Sequence, residues 1–84
     1  RKKQYPDLPH DESLFEKLRE LRKKLANELN VPPYIVFGDT TLISMAHLKP
    51  ETPDQMLEVN GVGQVKLERF GEVFLHCIKE GMSR

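Results

Sequence analysis

The sequence predicts an all-α domain of four or five helices of unequal length. Three observations carry that expectation. Apolar residues recur at spacings of three and four in the first and last thirds, which lays a stripe along a helix. Helix start and stop signals punctuate the 84-residue chain. No segment alternates polar and apolar side chains over the length of a strand. With 84 residues, 38% of them hydrophobic, the chain builds one domain with a modest core and no deep substrate cavity.

The first helix is expected over residues 11–30. Leu14, Leu18, Leu21, Leu25 and Leu29 form its apolar stripe. Asp11 is the favoured N-cap because it leaves Leu14 and Phe15 inside the helix, and Ser13 with Glu16 offers a competing capping box. Val31 and Pro32 end the helix. The stretch Asn30-Val31-Pro32-Pro33-Tyr34-Ile35-Val36-Phe37-Gly38-Asp39 follows. Prolines lock φ, and Val31 and Pro32, each preceding a proline, are pushed away from the helical region. The connector is therefore stiff, with Ile35, Val36 and Phe37 forming an irregular or single-turn helical plug of the core.

A second helix starts at Asp39 or Thr40, carries Leu42, Ile43, Met45, Ala46 and Leu48, and stops near Lys49 because Pro50 follows. Thr52-Pro53-Asp54-Gln55 is a strong start for a short helix: threonine caps, proline takes the first helical position, and glutamine takes the reciprocal capping-box site. That helix carries Met56, Leu57 and Val59 and ends at Asn60-Gly61, a pair that tolerates the left-handed conformation. The last helix is expected from about residue 63 to residue 80, with Leu67, Phe70, Phe74, Cys77 and Ile78 on its apolar face and Gly81 ending it. Gly71, mid-helix, costs about 1 kcal/mol relative to alanine, and close approach of another helix is the expected reason.

Composition narrows the function classes. The chain does not begin with Met and opens on a basic, proline-containing stretch, so residues 1–10 read as linker, 11–81 as the domain and 82–84 as a tail. No apolar run approaches a membrane span. One cysteine, Cys77, rules out an internal disulfide and fits a reducing, intracellular setting. Formal net charge is zero, against a strong non-specific binder of polyanions. The charge is uneven, however. Residues 1–30 hold eight basic residues (Arg1, Lys2, Lys3, Lys17, Arg19, Arg22, Lys23, Lys24) against six acidic ones, whereas residues 31–62 set Lys49 against Asp39, Glu51, Asp54 and Glu58.

Three features are candidates for chemistry. Tyr34, held on a rigid connector beside a basic helix, suits a platform for a nucleic-acid base, or else lids the core. Arg19, Arg22 and Lys23, at spacings of three and four, share a helix face that could track a phosphate backbone; the alternative is a solvated face laced with ion pairs, such as Glu16 with Arg19 or Glu20 with Lys24. The Asn60-Gly61-Val62-Gly63 turn, followed by Lys66 and Arg69 and diluted by Glu68 and Glu72, could aim backbone N–H groups at a phosphate. Alternatively it is a tight turn with Val62 packed inward and the glycines supplying positive φ.

Catalysis finds little support. No serine and not Cys77 stands near a histidine and a carboxylate in a nucleophile arrangement, and Cys77 lies on the apolar stripe as an inert thiol. His10, His47 and His76 lack metal-ligand spacing, and Asp11 and Glu12 suit a helix N-terminus structurally. Gly61-Val62-Gly63 lacks the Gly-Lys-Ser/Thr ending of a P-loop. Neither a catalytic residue nor a cofactor site is expected.

Leu14-Phe15-x-x-Leu18-Arg19-x-Leu21-Arg22, Asn30-Val31-Pro32-Pro33-Tyr34-Ile35-Val36-Phe37, Asp39-x-Thr41-Leu42-x-x-Met45-Ala46 and Asn60-Gly61-Val62-Gly63-x-x-Lys66-Leu67-Glu68-Arg69-Phe70-Gly71 together resemble the HRDC domain, found at the C-terminus of RecQ helicases and of ribonuclease D. The likeness covers roughly residues 11–80, and the Val-Pro-Pro-Tyr run and the last motif look most like the bacterial RecQ branch. The resemblance implies a compact five-helix bundle that is itself non-catalytic. It serves an ATP-dependent 3′–5′ DNA helicase of repair and recombination, in a bacterial, cytoplasmic, nucleoid-associated setting. It implies a monomer that weakly binds single-stranded or branched DNA and tunes substrate choice, with Tyr34 and flanking basic positions as the contact. Helix spacing nominates Arg19, Arg22, Lys23, Lys66 and Arg69 as those positions. HRDC domains differ in surface charge, and some contact proteins or their own helicase core. Docking on that core or on another protein, which the acidic middle third motivates, and positioning of RNA as a ribonuclease D tail are the alternatives.

Overall fold

The computed structural model describes the backbone of residues 10–82 and the side chains of residues 10–81. Five helices follow in order: α1 (Glu12–Leu29), α2 (Pro33–Val36), α3 (Asp39–Leu48), α4 (Pro53–Leu57) and α5 (Gln64–Met82). No strand occurs among the described residues. Arg1, Lys2 and Lys3, and with them most of the expected linker, lie outside the described residues.

Asp11 caps α1 as expected, its carboxylate accepting a hydrogen bond from the Leu14 N–H at 3.1 Å. The end of α1 is set by Asn30 rather than by Val31 and Pro32. Asn30 is left-handed (φ 60°, ψ 46°), and its N–H donates to the Asn27 carbonyl while the Val31 N–H donates to the Ala26 carbonyl at 3.0 Å. That pair of bonds is a Schellman closure, and asparagine is the residue after glycine that best accepts the conformation. Thr52 and Pro53 start α4 as their chemistry demands, with the Thr52 hydroxyl accepting from the Gln55 N–H at 3.1 Å.

α1 packs against α2, α3 and α5, and α4 packs against α5. Thr41 through Ala46 are all buried, so α3 is the central helix, as its apolar residues on every side require. Phe37 is the keystone of the core: it is 1% exposed and meets Phe70 and Phe74 edge-on at centroid distances of 5.9 and 5.0 Å.

Four local expectations are corrected. Ile35 does not plug the core but stands exposed, because one short turn can turn inward only Val36 and Phe37. Leu29, expected in the stripe, is exposed as the last residue of α1. Gly81 does not end α5, which continues to Met82; a Cβ at this position would lie 3.1 Å from Leu14 Cδ1. At Gly71 the atoms nearest to an added Cβ belong to Leu67, one turn earlier in α5 itself, and not to another helix.

Candidate nucleic-acid interface

The sequence places two prolines where a helix has no use for its first N–H groups. Pro32 is the N-cap of α2 and Pro33 its first residue, so neither missing donor leaves a carbonyl unpaired. The Ile35 N–H donates to the Pro32 carbonyl at 3.0 Å and the Phe37 N–H to the Pro33 carbonyl at 3.4 Å. Tyr34 projects from this single turn and is 68% exposed. The ring does not lid the core; Val36 and Phe37 do, from the opposite side of the same turn.

A turn this short leaves carbonyls without backbone donors at its end. Two cations from distant helices supply them. Arg22 Nη1 of α1 donates to the Phe37 carbonyl at 3.0 Å and lies 2.8 Å from Asp39 Oδ1 in the first turn of α3. Lys66 Nζ of α5 donates to the Val36 carbonyl at 3.0 Å and stands 5.5 Å from the centroid of the Phe37 ring. Positive charge at the end of a helical turn also complements its dipole.

The five nominated cations therefore divide. The Arg22 side chain is only 12% exposed, and Lys66 is half-buried. Arg19 is exposed but paired with Glu16 at 3.0 Å, with its guanidinium 5.9 Å from the Phe15 centroid. Lys23 is exposed and has no ion pair or hydrogen bond among the described residues. Arg69 is exposed on α5, its guanidinium 5.2 Å from the Phe70 centroid. Arg19, Arg22 and Lys23 thus share a helix face by number but not a common exposure. Spacing on α1 cannot foresee the inward turn of Arg22, because its acceptors lie 15 and 17 residues away in sequence.

Val62 is buried, Gly61 adopts φ 93°, and Gly63 does not have positive φ. The Thr41 hydroxyl fills the space beside Gly61. Elsewhere, burial raises the Cys77 thiol pKa above its ordinary value. No helix among the described residues is long and apolar enough to cross a membrane.

Comparison with known proteins agrees with this fold. The family model of the HRDC domain matches residues 11–78. The chain is 52% identical over 71 residues to the ATP-dependent DNA helicase RecQ of Haemophilus influenzae, covering 84% of this chain and 12% of that protein. It is 46% identical over 76 residues to RecQ of Pasteurella multocida, covering 90% of this chain and 12% of that protein. Among solved structures, the third HRDC domain of D. radiodurans RecQ superposes with a TM-score of 0.85 at 34% identity, covering 90% of this chain and all of that one. The chain thus spans about an eighth of the curated RecQ relatives, the length of one accessory domain.

Proposed function

The chain belongs to the HRDC domain family, the accessory domain of RecQ-type helicases, and we propose that it acts there as a weak binder of single-stranded or partly single-stranded DNA. The observation that carries this reading is Tyr34: an aromatic ring 68% exposed, on a turn held by two prolines. A base stacks on such a ring without sequence preference. Arg19, Lys23 and Arg69 offer exposed positive charge for the phosphates, whereas Arg22 and Lys66 are engaged on the carbonyls of the turn. Zero net charge keeps the affinity low in isolation. Tethered to a helicase motor, a weak site gains effective concentration and biases which DNA structure is engaged. Unwinding and ATP hydrolysis belong, on this reading, to other domains of the parent protein.

Anisotropy of a labelled single strand at low salt tests this. Tyr34→Ala should weaken binding by roughly 5-fold to 150-fold, the equivalent of about 1–3 kcal/mol. Three phosphate contacts should give a log–log salt slope of about −2. Unchanged affinity on Tyr34→Ala would sink the stacking role. An RNA strand of the same sequence, if preferred, would favour a ribonuclease D-like role.

A second reading, docking on the parent's helicase core or on another protein, has its own observation. A groove of about 980 Å³, bounded mainly by α1 and α5, has Leu21, Val73, Leu75 and Cys77 in its lining and charges of both signs at its rim, Lys17 and Lys79 among the glutamates. NMR shifts at these residues on adding a separated RecQ helicase core are the expected sign of docking, and their absence counts against it.

A further inference from the structure

We infer that Arg22 and Lys66 are positioning residues: together they clamp the end of the Pro33–Val36 turn and thereby set the direction of the Tyr34 ring. The inference rests on the reading of Tyr34 as the stacking side chain. An isolated turn of four residues does not hold itself, since fixing its dihedrals costs more than its few hydrogen bonds return. The prolines restrict its start. Its end has consecutive carbonyls, Val36 and Phe37, and each is taken by a different helix: Lys66 of α5 on one, Arg22 of α1 on the other, both at 3.0 Å.

The surroundings of both cations suit this role better than phosphate contact. The Arg22 guanidinium is 12% exposed and already neutralised by Asp39 at 2.8 Å. That bond also ties the end of α2 to the start of α3, so one side chain fixes both ends of the Phe37–Gly38 link. The Lys66 ammonium sits over the buried Phe37 ring and points at the turn from beneath. Lys23, by contrast, is exposed with no partner among the described residues. A phosphate reaches Lys23 and Arg69 in water, and Arg22 and Lys66 only by breaking the clamp.

Amide exchange in the DNA-free protein separates the roles. The Ile35 and Phe37 N–H groups report on the turn, and that of Phe74 reports on the core. In Arg22→Met and Lys66→Met, protection at Ile35 and Phe37 should fall on the order of tenfold relative to Phe74. Lys66→Arg, which keeps a charged donor, should restore it. If Arg22→Met does not fold, Arg22→Gln, too short and uncharged to hold both Phe37 and Asp39, takes its place with the same fall expected. With DNA, the Met variants should bind more weakly at an unchanged salt slope, whereas Lys23→Met should lower the slope by about 0.7. Unchanged exchange at Ile35 and Phe37 in both Met variants, or a slope lowered as by Lys23→Met, overturns the clamp. If the parent domain binds no single strand, the stacking reading fails, and the exchange result still decides the clamp.

Discussion

The Thr41 hydroxyl occupies the space that a Cβ on Gly61 would need. Gly61 also has φ 93°, a conformation that side chains rarely adopt, so two independent penalties fall on one position. Gly61→Ala should destabilise the domain by roughly 2–4 kcal/mol, combining the left-handed cost with overpacking against α3. Gly63 has open space around it and precedes α5, its carbonyl accepting from the Leu67 N–H at 2.9 Å. Gly63→Ser should be neutral or stabilising by about a few tenths of a kcal/mol, as a better helix cap. Urea unfolding of the two variants checks both; equal effects would show that the turn does not depend on Gly61.

Phe37 and Tyr34 lie three residues apart and should differ completely in their effect on stability. Phe37→Ala removes the ring wedged against Phe70 and Phe74 and should cost roughly 3–5 kcal/mol. For a domain of this size that is a large share of the total, on the order of 5–10 kcal/mol. Tyr34→Ala removes an exposed ring and should change stability by less than about 0.5 kcal/mol. Chemical denaturation of both variants gives the comparison, and any large loss in Tyr34→Ala would mean that a DNA-binding defect in that variant was a folding defect.

Acid should weaken the domain through Asp11. The Leu14 N–H at the cap, and then the Lys49 ammonium, hold its carboxyl below the ordinary value of 3.8. A carboxyl with a depressed folded-state pKa contributes stability above its unfolded pKa and loses it as pH falls through the folded one. The melting temperature should therefore drop as pH falls below about 4, and Asp11→Asn, which keeps a capping oxygen, should flatten part of that drop. Thermal melts of parent and variant across the acid range measure it; an identical pH profile would remove Asp11 from the account.

The Cys77 thiol should react slowly. Burial raises its pKa above the ordinary 9.0, with Lys17 opposing and Glu80 reinforcing the shift. Little thiolate exists near neutral pH, and half-burial limits access. Alkylation by iodoacetamide should run well below the rate of a free cysteine at pH about 8, and should match it once urea unfolds the chain. Equal rates in the native state would place the thiol in water.

Much of the architecture was legible from local chemistry. The i, i+3, i+4 recurrence of Leu14, Leu18 and Leu21 marks α1, and Thr52-Pro53 marks the start of α4. Each signal acts within one turn of the chain, where propensity and capping apply directly. A Pro-Pro-Tyr run is compatible with an exposed ring or a lid on the core, and only the packing of Val36 and Phe37 shows that the Tyr34 ring is exposed. The terminator of α1 was misplaced by one step because a left-handed Asn30 competes with Pro32 for the same job.

Amino-acid order alone settled the helical class, the Asp11 and Thr52 caps that start α1 and α4, the stiff connector and, through its combined motifs, the family. It did not settle which way each side chain turns. Arg22 and Lys23 are neighbours with the same charge, yet one is drawn under the connector by Phe37 and Asp39 while the other stays in water. Ile35 and Val36 are neighbours with the same apolarity, yet only the second is buried. Those choices depend on acceptors and cavities brought together from 15 to 30 residues apart, and such distances come into being only when the helices pack.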